Sequence, residues 1–348
     1  MKRILQTLGV ALLTILFLGW FLWKTNLSDV WRMIKSANAL WLSVALLVNF
    51  SALIFRTQRW RVILNETPSP RFYPTFFANT VGFMLASIFP LGGTTSTVAR
   101  PALLARRTSV SFSHAMGTGM TERVLDLFSI LILFVYFGIR RWHEFSTNPA
   151  TSNAFYIVKA GVIGAATTLV VLSLFIIGLF FFRGFIRRAH ARIGRILPSR
   201  FRDSWMRFFD SFAGSLDLVR RPASLAKVIL LTVLIWLALQ SQFWFVVKAL
   251  RHPLPFDASF FVGGVTTLGL AIPTPGGIGG FHKACQIVLT KFYAFDVDSS
   301  VAVALLFHAV GTVPVLLTGL LLFLREGLRW KDVTAAKAAV VPKTSSTE

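Results

Sequence analysis

Pro273-Thr274-Pro275-Gly276-Gly277-Ile278-Gly279-Gly280 and Phe89-Pro90-Leu91-Gly92-Gly93 each close an apolar stretch, 257–273 in one case and 71–90 in the other. Proline removes a backbone donor and glycine favours turns, so neither stretch reads as one straight membrane helix. Non-helical backbone survives at membrane depth only where it is buried or lines a wet cavity. The two Pro/Gly segments therefore predict the tips of re-entrant hairpins, and the rest of the chain has to be arranged around them.

Working outward, six further segments, 4–23, 37–56, 113–139, 155–182, 224–247 and 299–324, each supply the roughly 20 mostly apolar residues that a crossing needs. Composition agrees: of 348 residues 55% are hydrophobic and only 14% charged, and the mean hydropathy is +0.66, outside the range of soluble domains. Lys2 and Arg3 ahead of the first run are compatible with a secretory signal. That run is long for a signal and lacks a small-x-small cleavage site, so it reads as a retained first span. The single cysteine, Cys285, excludes a disulfide framework and a multi-cysteine metal site.

The formal net charge is +22. Lys and Arg fall in the gaps between apolar runs, which is the positive-inside pattern and not a nucleic-acid footprint. For most of these charges the simplest role is to set topology and touch anionic headgroups. Residues 56–71 carry four Lys or Arg, 100–107 three and 183–223 ten, against two each in 140–154 and 248–257. Placing the rich loops in the cytoplasm puts both termini there, in a plasma (inner) membrane of bacterial type. An even number of crossings then requires that 71–107 and 257–293 each enter and leave on one side.

Comparing the chain with itself at an offset of 185 residues pairs Pro90 with Pro275, Gly92 with Gly277, Arg123 with His308 and Arg140 with Arg325. Each unit reads as span, hairpin, span, over 37–140 and 224–325. From the charge count the first hairpin dips in from the cytoplasm and the second from outside, so the units form an inverted repeat. The expected fold is an all-α polytopic membrane bundle with six full spans and two re-entrant helical hairpins. Residues 1–330 form the membrane domain and 183–223 a basic cytoplasmic loop, with 331–348 as a disordered cytoplasmic tail. Inverted repeats with Gly/Pro-broken helices at matching positions point to a substrate site in mid-membrane. The bland alternative is that the glycines only permit tight helix packing.

Several charges fall where apolar spans are expected. The tract 127–139 is too short to cross alone, so its span draws in Glu122, Arg123 and Asp126. Glu122 and Asp126 share a face at i and i+4, with Arg123 three residues before Asp126. Arg123 is thus able to pair with a carboxylate and still offer donors to a phosphate. Intramembrane charges usually face a pathway, although a buried structural ion pair is the competing reading. His308, paired with Arg123 by the repeat, is a candidate headgroup ligand or proton relay, or simply a hydrogen-bonding core histidine. His282 and Lys283 follow the second glycine tip, and Arg100, Arg106 and Arg107 follow the first. Gly92, Gly93, Gly276, Gly277 and Gly279 expose backbone N–H groups beside helix starts, which favours an anion.

Arg56, Arg59 and Arg61, with Trp60, read as an interfacial cluster that anchors the second span, specific lipid binding being the secondary reading. Trp205, Phe208, Phe209, Phe212 and Leu216 fall at helical spacing in the basic loop, as in an amphipathic helix on the membrane surface. No nucleophile elbow, phosphate-binding loop, zinc signature or dinucleotide fingerprint occurs, so neither an enzyme nor a cofactor is expected.

The order Arg59-Trp60-Arg61, Pro90-Leu91-Gly92-Gly93 through Arg100 and Arg106-Arg107, Thr121-Glu122-Arg123-Val124-Leu125-Asp126, and Pro275-Gly276-Gly277-Ile278-Gly279-Gly280 resembles the lysylphosphatidylglycerol synthase transmembrane, or flippase-like, family. The resemblance covers about 4–325. It implies a module that, in the multiple peptide resistance factor proteins, moves aminoacylated phosphatidylglycerol between leaflets; their soluble aminoacyl-transfer domain has no counterpart here. Where that family usually carries a glutamate after each tip, this chain has Thr94-Thr95 and Phe281-His282. The more positive site argues for an anionic phospholipid or lipid phosphate over a cationic lysyl headgroup. The leading expectation is a lipid translocator, flippase- or scramblase-like, in which Arg100, Arg123, His282 and His308 receive the headgroup. The alternative is an accessory subunit that presents lipid-linked substrate to a separate synthase or glycosyltransferase.

Overall fold

The computed structural model describes residues 2–64, 69–89, 92–147, 152–181, 210–215, 220–269 and 274–327, with 192, 202, 206 and 218. All the regular structure among them is helical. In chain order the helices are α1 (Lys2–Leu22), α2 (Leu27–Lys35), α3 (Ala39–Leu64), α4 (Phe72–Ile88), α5 (Gly92–Ala105), α6 (Phe112–Arg140), α7 (Trp142–Thr147), α8 (Ser152–Phe181), α9 (Pro222–Ala249), α10 (Ala258–Gly269), α11 (Gly280–Phe292) and α12 (Val297–Arg325). A one-turn 3₁₀ element, Pro275–Gly277, lies between α10 and α11.

Caps and prolines set the boundaries. Asn38 precedes α3 and its Oδ1 accepts from the amides of Leu40 and Trp41 at 3.0 and 3.2 Å. Ser111 caps α6 through the His114 amide at 3.2 Å, and Asp296 caps α12 through the Ser299 amide at 2.8 Å. Each satisfies a donor that the first helical turn leaves open. Proline also occurs inside helices, where it strips a carbonyl four residues earlier of its partner. In α12 that residue is Val310, whose carbonyl accepts instead from Asn49 Nδ2 of α3 at 3.1 Å. A neighbouring helix thus repairs the break, as apolar surroundings demand.

Four helical stretches, Ala39–Leu64, Val158–Gly178, Pro222–Ala249 and Val297–Arg325, are long and apolar enough to cross a membrane. Helix α6 matches the expected span 113–139 in length but carries Glu122, Arg123 and Asp126 within it. Only the shorter apolar stretch Leu12–Leu22 is found in the first expected span. One boundary shifts with consequence. The expected span 37–56 runs on to Leu64, so Arg56, Arg59 and Arg61 lie within α3 and not beyond its end. Of the amphipathic helix read in the basic loop, only 210–215 is described; Trp205, Phe208, Phe209, Leu216 and the tail 331–348 lie outside the described residues, as do Pro90, Leu91 and 270–273.

The chain breaks at both Pro/Gly segments. Helix α4 folds back onto α5, and α10 onto α11. The first hairpin shares a buried core with α3 and the end of α12, through Trp60, Phe77, Leu104 and Phe323. The second shares a larger one with α6, α9 and α12, through Phe134, Phe243, Phe261, Leu289 and Val303. The packing partners are exchanged between the two triads. Helix α12 packs on α4 as α6 packs on α10, and α3 and α9, which open the triads, lie along each other.

Two polar clasps occupy matching ends of this arrangement. Past the end of α12, Glu326 accepts from Tyr73 Oη at 2.5 Å and from Arg107 Nη2 at 2.7 Å. Past the end of α6, Arg141 donates to both carboxylate oxygens of Asp257 at 3.0 and 2.9 Å and to Glu144 at 2.7 Å. The hydrogen bonds from Arg107 and then Tyr73 hold the Glu326 carboxyl at about 2, well below the usual value of 4.5.

Candidate functional site

The strongest concentration of buried charge is built from α3, α5 and α6. Helical spacing places Arg56 and Arg59 one turn apart on α3, and Glu122, Arg123 and Asp126 within a turn on α6. Arg100 comes from the hairpin helix α5. Arg59, Arg100 and Glu122 are almost sealed from solvent, at 1%, 4% and 2% exposure.

Arg59 is the hub. Its Nη2 lies 2.8 Å from Asp126 Oδ1 and its Nε 3.5 Å from Glu122 Oε1, while Nη1 donates to Thr232 of α9 at 3.3 Å. Arg100 Nη2 donates to the other Glu122 oxygen at 2.5 Å. The Arg100 guanidinium also lies over the rings of Trp60 and Phe83, at 4.5 and 5.0 Å. Trp60 is fixed in turn by its indole N–H donating to Thr118 at 3.2 Å. Burial of these ions is tolerable because each faces an opposite charge, as a low-dielectric interior requires.

Two arginines of the cluster differ. Arg123 donates through Nη2 to Ser96 Oγ at 2.7 Å, and Arg56 lies over the Phe83 ring at 5.4 Å. Neither has a carboxylate within ion-pair distance among the described residues. The pairing foreseen between Arg123 and a carboxylate of its own helix is therefore replaced. Glu122 and Asp126 are taken by Arg59 and Arg100, and Arg123 turns to the hairpin helix. Among the described residues, four guanidiniums against two carboxylates leave a surplus of +2. Such a surplus inside a membrane protein attracts an anion, and guanidinium suits a phosphate because its donors form a planar fork.

The second broken segment brings together the other expected residues. Gly276, Gly277 and Gly279 all have positive φ, at 59°, 76° and 93°, a conformation that side chains rarely adopt. His308 Nε2 lies 2.8 Å from the Gly276 carbonyl, and the Gly279 amide donates to His282 Nδ1 at 3.3 Å. A carbonyl accepts and an amide donates, so both imidazoles carry their proton on Nε2 when neutral. The two rings are 4.6 Å apart. Each histidine thus holds the backbone of the glycine turn, and neither is placed in the arginine cluster. Lys283 is likewise engaged, with Trp20 O at 3.0 Å and Gln286 Oε1 at 2.7 Å.

The two groups are linked through α4. A Cβ on Gly276 would stand 2.9 Å from the Ser87 carbonyl oxygen, so the second tip abuts the end of the first hairpin's leading helix. Ser87 lies one turn beyond Phe83, which carries Arg56 and Arg100. Gly92 and Gly93 open α5, the helix of Arg100 and Ser96. Broken backbone, the two histidines and the surplus cations therefore adjoin along one helix. In a comparison against known families, a model described as the lysylphosphatidylglycerol synthase TM region matches residues 6–319.

The chain belongs to that family. Among curated proteins none matches it. Membership ties this membrane protein to lipid metabolism.

From sequence alone Arg56 and Arg59 read as interfacial anchors. The signal that finds them is the pair of carboxylates on α6, because two acids in an apolar helix need more cation than Arg123 alone. Arg61, from the same run, does behave as a local brace, donating to Gln58 and to the Pro70 carbonyl at 2.8 Å each.

Proposed function

We propose that the protein is a lipid translocator, flippase- or scramblase-like, that passes an anionic phospholipid or lipid phosphate across a bacterial-type inner membrane. The single observation that carries this reading is the charge cluster in which two half-buried arginines, Arg56 and Arg123, have no carboxylate within ion-pair distance among the described residues. A cation without a directly paired anion is costly in an apolar setting, and its retention there is a mark of function. Both carboxylates of the cluster are spent in ion pairs, which favours binding over acid–base chemistry.

The proposed topology has six crossings, two re-entrant hairpins in an inverted repeat, and both termini in the cytoplasm. Helix lengths support it. Helices α4, α5, α10 and α11 have 17, 14, 12 and 13 residues. At about 1.5 Å per residue each reaches roughly 18–26 Å, short of a hydrocarbon core of about 30 Å. The exchanged packing of the two triads is what an inverted repeat requires. In this arrangement the headgroup enters the arginine cluster while the acyl chains stay in lipid.

Reconstitution tests the proposal. Vesicles holding the purified protein alone should move a labelled anionic phospholipid between leaflets, and Arg123→Ala should abolish transfer while the variant still unfolds cooperatively in detergent. Unimpaired transfer in a folded Arg123→Ala protein removes the cluster from the pathway. Absence of transfer by the wild type in every lipid tried leaves the role of an accessory subunit serving a separate synthase or glycosyltransferase.

A further inference from the structure

Charge in the cluster constrains the headgroup more tightly than sign alone. We infer that the site on α3, α5 and α6 is matched to a doubly charged phosphate monoester and not to a singly charged phosphodiester; this rests on reading the cluster as the headgroup site. Arg59 and Arg100 are neutralised by Glu122 and Asp126, which leaves the charges of Arg56 and Arg123. A dianion cancels both. A phosphodiester cancels one and leaves a second, half-buried cation without a directly paired anion in an apolar setting, the costly outcome.

Hydrogen-bonding capacity points the same way. Each guanidinium has five N–H donors. Arg123 spends one side of its fork on Ser96, and Arg56 presents its face to Phe83, so both keep edges for an acceptor. The buried Nε atoms of Arg59 and Arg100 also have no hydrogen-bond acceptor among the described residues. A monoester offers three terminal oxygens to such donors, whereas a diester offers two.

Among the described residues the other half of the protein supplies no second buried cluster of arginines. At the position that the repeat pairs with Arg123 stands His308, whose Nε2 is committed to the Gly276 carbonyl. The buried polar side chains described on α9 and α11 are Gln240, Gln242, His282 and Gln286, none of them a lysine or arginine. The +2 surplus is thus concentrated at one place, sized for one headgroup.

The test uses the full-length protein in phosphatidylcholine nanodiscs doped with either phosphatidate or phosphatidylglycerol, with thermal stabilisation read against mole fraction. At about pH 8 phosphatidate should half-saturate at a mole fraction at least tenfold lower, a factor equivalent to about 1.4 kcal/mol. Near pH 5 the gap should contract, because a phosphate monoester takes up its second proton at about pH 6. Arg56→Gln and Arg123→Gln should each collapse the preference, and Arg123→Lys, which keeps the charge, should retain part of it. Neither Gln variant removes a direct ion pair seen among the described residues, and cooperative unfolding in detergent is checked for each before its lipid preference is read.

Equal half-saturation by the two lipids in the wild type, or a preference that survives both Gln variants, overturns the inference. Inorganic phosphate in the buffer separates the sources. If it stabilises as well as phosphatidate and displaces it, the monoester class stands but the occupant is a soluble phosphate. Transfer assays separate this inference from the translocator reading. Phosphatidylglycerol transport without phosphatidate preference defeats only the inference, while selective phosphatidate binding without transport of either lipid defeats only the translocator.

Discussion

Replacing Arg59 and replacing Arg123 with glutamine should have very unequal consequences for stability, although both changes remove one cation from the same cluster. Arg59 holds two carboxylates, at 2.8 and 3.5 Å. At an effective dielectric of about 20 these contacts correspond to gross attractions of about 6 and about 5 kcal/mol. Most of that offsets desolvation, and removing one partner of a buried pair costs about 3–5 kcal/mol net, because the surviving charge is left uncompensated. Among the described residues the hydrogen bond of Arg123 is to the Ser96 hydroxyl, a bond from a charged donor worth about 1.5–3 kcal/mol. Its loss, and that of a longer-range attraction to Asp126 and Glu122, is offset by relief of desolvation and of repulsion from the neighbouring cations Arg100 and Arg56. Arg59→Gln should therefore lie at least about 3 kcal/mol below Arg123→Gln, with the latter close to the wild type. Denaturation of the purified proteins in one detergent, followed by tryptophan fluorescence and supported by a double-mutant cycle between Arg59 and Asp126, measures the gap. Equal losses in the two variants, or a larger loss for Arg123→Gln, would refute the division of the cluster into paired and surplus cations.

Three other outcomes are expected. Gly82→Ala places a Cβ within contact distance of the Arg100 stem, which is pinned between Trp60, Phe83 and Glu122; overpacking of this kind costs about 1–3 kcal/mol, and lipid transfer should fall with the protein still folded, whereas unchanged transfer would show that Arg100 relocates freely. Asn49→Leu leaves the Val310 carbonyl without the donor that Pro314 denies it, a loss of about 1–3 kcal/mol that a denaturation curve should register and that Asn49→Gln should recover in part. For Glu326, whose carboxyl is held at about 2 when folded against 4.5 ordinarily, the charged form favours the folded state. Its contribution is complete above about pH 4.5 and lost as pH falls towards 2, so the melting-temperature difference between wild type and Glu326→Gln should shrink on acidification, and a difference that grows would reverse the assigned sign.

Sequence patterns and structure agree where a residue's effect is local. Pro275, Gly276 and Gly279 interrupt a helix by their own backbone preferences, so the break between α10 and α11 is legible without knowing its neighbours. The apolar stretches of α3, α8, α9 and α12 are legible for the same reason. Position 59 is different. Counted as a charge it ends a span, and only Asp126 and Glu122, more than sixty residues away, convert it into a buried hub. Likewise Arg123 and Asp126 are neighbours on one helix surface, yet Asp126 is claimed by α3. Short-range spacing identifies which side chains can meet but not which competitor from another helix takes the bond.

Pro314 has a wider mechanical meaning. The last helix is stiff at that level only because an amide on α3 serves the carbonyl that proline exposes. Rigidity of α12 is therefore borrowed from its neighbour. Any sliding of α3 against it forfeits the loan, freeing the part that bears His308 to flex relative to the part clasped at Glu326, so displacement of one helix becomes bending of another.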